Sequence, residues 1–216
     1  MGRPARVSPD RILDVAALEF AERGFAGARV DRIARRAKVN KAMLYYHFKS
    51  KGHLYRTLLR RTFTLAAERL QAIGASLAPP PEKLERAIST MARFIDENAF
   101  FPAIMMREVA EGGAHLDRDT LKALAAVPKA FGALVHEGVT SGAFRPVDPV
   151  FAYFTTLAPI VFYLAGAPIR KEITHLHDVD LHTLSPDDFV QHLQESVRRS
   201  FARDAEAPQV TTRPTR

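Results

Sequence analysis

Val30-Asp31-Arg32-Ile33-Ala34-Arg35-Arg36-Ala37-Lys38-Val39-Asn40-Lys41-Ala42-Met43-Leu44-Tyr45-Tyr46-His47-Phe48 is the stretch that decides the fold. Val30, Ile33, Ala34 and Ala37 recur at helical spacing, which predicts a short helix over about 30–37. Lys38-Val39-Asn40 makes a tight connection, and Asn40 can cap a further helix over 41–47. Two short helices joined by a three-residue turn, the second basic and rich in tyrosine, predict a helix-turn-helix. The first helix braces the second. Asn40, Lys41 and Ala42 then stand at the end that faces base edges and phosphates in a major groove. Tyr45 and Tyr46 bring hydroxyls for phosphates and rings for thymine methyls. Lys51, in the first turn of the next helix, is placed to reach another phosphate. Leu44 and Phe48 read as core, and Arg32, Arg35 and Arg36 as a solvated face.

Working outward, helical patterns continue almost throughout, with no β pattern, repeat or transmembrane helix. Ser8-Pro9 starts a helix carrying Ile12, Leu13, Ala16, Ala17 and Phe20 on one face, and Gly24 ends it. Ser50 caps a long helix from Lys51 to about Ile73. Pro79-Pro80-Pro81 reads as a loop. Helices are then expected over about 82–98, 102–111 and, capped by Asp117 or Asp119, up to about Ser141, with Pro128 kinking or splitting the last. An apolar helix over about 149–164, bent at Pro159, precedes a poorly defined connection at 166–184. Ser185-Pro186-Asp187 opens a final helix to about Arg203. The tail from Ala205 to Arg216 is expected to be disordered. The fold class is therefore all-α: a helix-turn-helix domain over 1–50, its linking helix starting at 51, and a helical body over 51–204.

Charge is unevenly spread. Of 31 basic and 24 acidic residues, net +7, residues 1–60 hold 14 basic and 5 acidic. All of the excess positive charge thus sits in the first quarter, as in a polyanion-binding module on a near-neutral body. The absence of cysteine excludes disulfides and cysteine zinc sites, and a cytoplasmic protein is expected. No glycine-rich phosphate loop, Gly-x-Ser-x-Gly elbow or cysteine nucleophile occurs, so neither an enzyme nor a cofactor is expected.

The segment from Ala28 to Lys51, above all Leu44-Tyr45-Tyr46-His47-Phe48-Lys49-Ser50-Lys51, closely resembles the DNA-binding segment of the TetR/AcrR family of repressors. The resemblance implies DNA-contacting roles for Arg29, Val39, Asn40, Lys41, Ala42, Tyr45, Tyr46, His47 and Lys51. It departs at Ala28 and Asn40, where many members have Thr or Ser, and at Ala42, where many have Gly. It further implies a homodimer on a pseudo-palindromic double-stranded operator, released by a small-molecule effector. The alternatives are a helical binding or interaction protein without operator recognition, and a metal-dependent enzyme.

In the body, Phe63, Phe94, Phe101, Met105, Met106, Phe131, Phe154 and Tyr163 are candidate lining for an apolar effector cavity, each with ordinary core packing as its alternative. Phe151, Phe189, Leu193, Val197 and Phe201 are candidates for a four-helix dimer interface. The resemblance favours that interface; the alternative is that the same faces close an intramolecular core. Glu108, Glu111 and His115 suggest a metal cluster, but Gly112-Gly113 should break the helical register before His115. His175, His177 and His182, with Asp178 and Asp180, have no diagnostic ligand spacing, so no metal is expected.

Overall fold

A computed structural model describes residues 8–175 and 185–203. Within them the chain forms α1 (Pro9–Gly27), α2 (Val30–Ala37), α3 (Lys41–Phe48), α4 (Lys51–Gly74), α5 (Pro80–Glu97), α6 (Phe101–Ala110), α7 (Arg118–Thr140), α8 (Pro149–Thr156), α9 (Ala158–Ala165), α10 (Ala167–His175) and α11 (Pro186–Phe201). No strand occurs among the described residues. His177, His182, Asp178, Asp180 and the tail from 205 lie outside them, as does the side chain of His175.

Capping chemistry sets the starts. Ser8, Asn40, Ser50, Asp117 and Asp148 each accept a backbone N–H of the helix they precede, and Ser185 with Asp188 forms a reciprocal capping box. Gly24 adopts φ 67 and interrupts α1, where a Cβ would be strained. Pro80 and Pro81 occupy the first positions of α5, so only Pro79 of the triplet stays outside it. A proline is tolerated there because the first N–H groups of a helix have no intrahelical partner. The apolar stretch at 149–165 is two helices broken at Leu157, with Pro159 in the first turn of the second. Part of the expected connection after 166 is the further helix α10. No single described helix is long and apolar enough to cross a membrane. The pair Pro149–Ala165 and Ala167–Thr174 reaches the length together but is bent by 57°.

The longest helices, α4 and α7, form the most extensive pairing. Leu58, Leu59, Phe63 and Leu70 of α4 and Phe131, Leu134 and Val135 of α7 are buried in the core. Lys83, only 4% exposed, donates to Gly74 O and pairs with Glu137 at 2.7 Å, so one ammonium ties together α4, α5 and α7. The amide of Gln194 on α11 donates to Glu85 O and Ser89 Oγ on α5.

The apolar face of α11 is a correction to the sequence expectation. Leu193, Val197 and Phe201 are 8%, 5% and 4% exposed within one protomer, and Phe201 packs edge-on against Phe144. Phe189 stacks on Tyr163 with ring centroids 4.0 Å apart. Leu193, Val197 and Phe201 close the protomer's own core and Phe189 is half-buried, whereas Phe151 is 72% exposed and remains available to a partner. Periodicity reveals that a face is apolar, not which surface covers it.

The Phe144 ring lies so close over α7 that a Cβ on Gly138 would stand 2.0 Å from it. Gly→Ala inside a helix ordinarily stabilises by about 1 kcal/mol. Gly138→Ala is instead expected to lower the denaturant midpoint, and a raised midpoint would show that Phe144 repacks freely.

Candidate nucleic-acid interface and effector cavity

α2 and α3 are joined through Lys38, which takes the left-handed conformation at φ 58 and ψ 40, with its N–H on Ala34 O and Arg35 O. That reversal brings α3 across α2, and Ile33, Ala34, Ala37, Leu44 and Phe48 are buried together. Their common support is Glu19, a carboxylate only 1% exposed on the inner face of α1. Glu19 Oε1 accepts from Arg29 N at 3.2 Å and Arg32 Nε at 2.7 Å, and Oε2 lies 3.6 Å from Arg36 Nη1. Burial alone would push the Glu19 carboxyl up. The Arg32 and Arg29 bonds and the charges of Arg32 and Arg36 outweigh it and hold the carboxyl below its ordinary value. Arg32 and Arg36 are therefore structural ligands of Glu19 rather than a merely solvated face. Ala28 is buried and Arg29 makes no side-chain cap, so Glu19 supplies the anchor at the α2 N-terminus. The signal was present in the sequence: Glu19 follows Ile12 by seven residues and shares its stripe.

The outer face of α3 is open. Tyr46 is 83% exposed, and Asn40, Lys41, Ala42 and Tyr45 are exposed with it. Met43 shares this surface and was not singled out by the sequence. Asn40 Oδ1 accepts from Met43 N at 2.7 Å, which commits its carbonyl to capping and leaves the amide NH2 outward. Lys41 Nζ pairs with Asp31 at 2.8 Å. That carboxylate is held below its usual range by the Lys41 bond and charge. His47 and Val39 are half-buried, and Arg29 is exposed.

Lys51 is placed otherwise than expected. Its ammonium donates to Phe25 O at 2.8 Å, Ala28 O at 3.2 Å and Ala26 O at 3.3 Å, and sits over the Phe25 ring. All three donors of the group serve the end of α1, whose carbonyls have no intrahelical partner.

In the body, α4 to α9 enclose a cavity of about 350 Å³. Phe63, Phe94, Phe101, Met105, Met106 and Phe154 line it, together with side chains the sequence did not single out, including Met91, Val109, Tyr153 and Val161. Phe131 and Tyr163 do not. Phe131 is fully buried behind Tyr153, and Tyr163 faces a separate cleft with Phe189. Among the described residues no charged side chain lines the cavity, and the one hydroxyl is that of Tyr153, a phenol pushed up by burial. Val109 and Phe154 are also largely exposed and mark the opening.

Four successive residues of α6 join the two regions. Met105 and Met106 wall the cavity. Arg107 Nη1 donates to Phe20 O and Ala21 O of α1. Glu108, 2% exposed, accepts the Tyr55 hydroxyl of α4 at 2.6 Å. His115 also meets Glu108, contrary to the expected loss of register. Gly112 and Gly113, at φ 66 and 73, reverse the chain so that His115 returns over the end of α6 and packs on Phe25.

Residues 12–58 match the family described as bacterial regulatory proteins, tetR family, and residues 80–185 match the tetracyclin repressor-like C-terminal domain. The chain is 31% identical over 110 residues to the transcriptional repressor SCO4008 of Streptomyces coelicolor, covering 51% of this chain and 52% of that one; it thus spans about half the length of that relative. It is 30% identical over 181 residues to the repressor KstR2 of Mycolicibacterium smegmatis, covering 76% and 82%. The crystal structure of the TetR-family regulator PfmR from Thermus thermophilus superposes with a TM-score of 0.64 at 26% identity, over 90% of this chain and all of that one.

Glu19→Gln is expected to cost about 2 kcal/mol at neutral pH, since hydrogen bonds to a charged group are weakened and both arginines stay partly solvated. Because the folded-state value lies below the ordinary 4.5, this contribution is present above that value and fades as pH falls through the lower folded value. Unfolding curves of the two proteins should converge in acid; a constant gap would deny the charge its part.

Proposed function

Since the chain belongs to the TetR family of bacterial regulatory proteins, we propose that it is a repressor whose hold on a pseudo-palindromic operator is released by a small, uncharged, mainly hydrophobic molecule. One observation carries this reading: α6 both walls the apolar cavity and grips the helices that carry the helix-turn-helix.

On the DNA side, α3 lies in the major groove, with Asn40, Lys41, Ala42, Tyr45 and Tyr46 toward it and Arg29 toward the backbone. An exposed tyrosine ring gains little from water, and its hydroxyl is a ready donor to phosphate. The functional division falls near residue 50, and α4, which starts at Lys51, leads from it into the body without a linker, so a rigid rod joins the two parts. Dimerisation uses the face of α8 and α9, where Val150, Phe151, Phe154 and Phe162 are each more than 60% exposed. A two-fold axis there sets the spacing of two recognition helices.

On the effector side, methionine and phenylalanine walls without a charge select a neutral, lipophilic molecule, and Tyr153 offers one hydrogen bond. A molecule that fits only when α6 has shifted would drag Arg107 and Glu108, and with them α1 and α4. It regulates by the difference in its affinity for the two arrangements.

A duplex recovered by the full chain from a random-sequence pool tests the DNA side. Tyr46→Ala should bind it about tenfold more weakly with an unchanged salt slope, because the lost group is neutral. Lys41→Ala should reduce the slope by about one unit. Binding no tighter than to competitor DNA would favour a protein that recognises small molecules or partners without an operator. For the cavity, Ala158→Phe should abolish the fluorescence of bound N-phenyl-1-naphthylamine, a neutral apolar probe, while duplex affinity is kept. Undiminished fluorescence would place the apolar site elsewhere.

A further inference from the structure

At the corner between α6 and α7, Glu108, Glu111 and His115 offer three ligand atoms within 4.8 Å of one another. His115 Nδ1 stands 3.0 Å from Glu108 Oε1 and 3.2 Å from Glu111 Oε2. Two donors each about 2.1 Å from one ion, at angles between octahedral and tetrahedral, are separated by about 3.0–3.4 Å. Both distances from His115 therefore suit a shared cation as well as a chain of hydrogen bonds.

The surroundings favour the cation. Glu108 is 2% exposed, and its second oxygen, Oε2, is buried without any hydrogen-bond partner. A buried acceptor left unsatisfied is unfavourable, and a carboxylate more so. Among the described residues no lysine or arginine forms a salt bridge with Glu108 or Glu111. The neighbouring cations are engaged elsewhere: Arg107 on the carbonyls of α1, Arg56 on Asp117, and Lys51 on three carbonyls. Two carboxylates thus share one imidazole and no fixed positive charge. The Tyr55 hydroxyl on Glu108 Oε1 is the kind of outer hydrogen bond that orients a ligating carboxylate.

We propose that Glu108, Glu111 and His115 bind one divalent transition-metal ion. Nitrogen plus two carboxylates suits Zn²⁺, Co²⁺ or Mn²⁺; a Cu⁺ site calls for sulfur and a Ca²⁺ site for six or more oxygens. Bound to both oxygens of the Glu108 carboxylate, the ion gives Oε2 a partner and neutralises both carboxylates. It fastens the glycine turn to the end of α6, where Tyr55 and Phe25 meet it, and so stiffens the joint between the cavity and the helix-turn-helix. Neither the operator nor the effector needs to be known for this site to exist.

The full chain, stripped with chelator, is titrated with Co²⁺ and followed by visible absorption, then with Zn²⁺ and followed by thermal unfolding. The expected result is one Co²⁺ per chain, a higher unfolding midpoint with Zn²⁺, and loss of at least tenfold in affinity in Glu111→Gln and in His115→Ala. Both substituted side chains are partly exposed, and circular dichroism checks that each variant is folded. The triple variant His175→Ala, His177→Ala, His182→Ala should bind as the parent does. No saturable binding below about 1 mM overturns the site. So does undiminished affinity in folded His115→Ala, or binding lost in the triple histidine variant instead.

Discussion

A phenol hydroxyl resting on a buried carboxylate holds the two halves of this molecule in one frame. Tyr55 donates to Glu108 in apolar surroundings, and burial first, then that bond, pushes the phenol far above its ordinary range. Such a charge-assisted bond is strong where water is excluded, and it fixes how α6 sits on α4. Its neighbours work on the same place. Arg107, from the body, and Lys51, from the start of α4, both satisfy carbonyls at the end of α1. The carbonyls on the two sides of the Gly24 kink are consequently met by cations from two different parts of the chain, and neither can move without exposing backbone acceptors.

That arrangement gives an apolar cavity leverage over a distant polar surface. Met105 and Met106 can adapt to an occupant because their side chains are flexible and polarizable. Arg107 and Glu108, one step along the same helix, cannot adapt in the same way. Their partners are directional hydrogen bonds, which are kept or lost rather than stretched. On the proposed reading, a small displacement of α6 becomes a choice between two arrangements of α1 and α4.

Much of this was legible along the chain. The stripe of Val30, Ile33, Ala34 and Ala37, the caps at Ser8, Asn40, Ser50 and Ser185, and the excess of positive charge before residue 60 are local properties, and local chemistry sets helix starts. What escaped was pairing across distance. Lys51 looked like one more cation for phosphate until its three donors met carbonyls of α1. Arg32 and Arg36 looked solvated until Glu19 turned up beneath them. His115 looked cut off by Gly112-Gly113, although a left-handed glycine turn is a means of bringing the chain back.

The residues alone therefore determined the class of this protein: all-helical, with a two-helix DNA-reading unit at its start, because periodicity, capping and charge are carried by neighbours a few positions apart. The tertiary structure decided which apolar faces close the protomer. Leu193, Val197 and Phe201 turn inward, and Phe151 stays outside. It also decided which aromatic residues border the cavity, and which cations are committed to partners within the protein. Those outcomes depend on which surface reaches a side chain first, and hydrophobicity and charge carry no address.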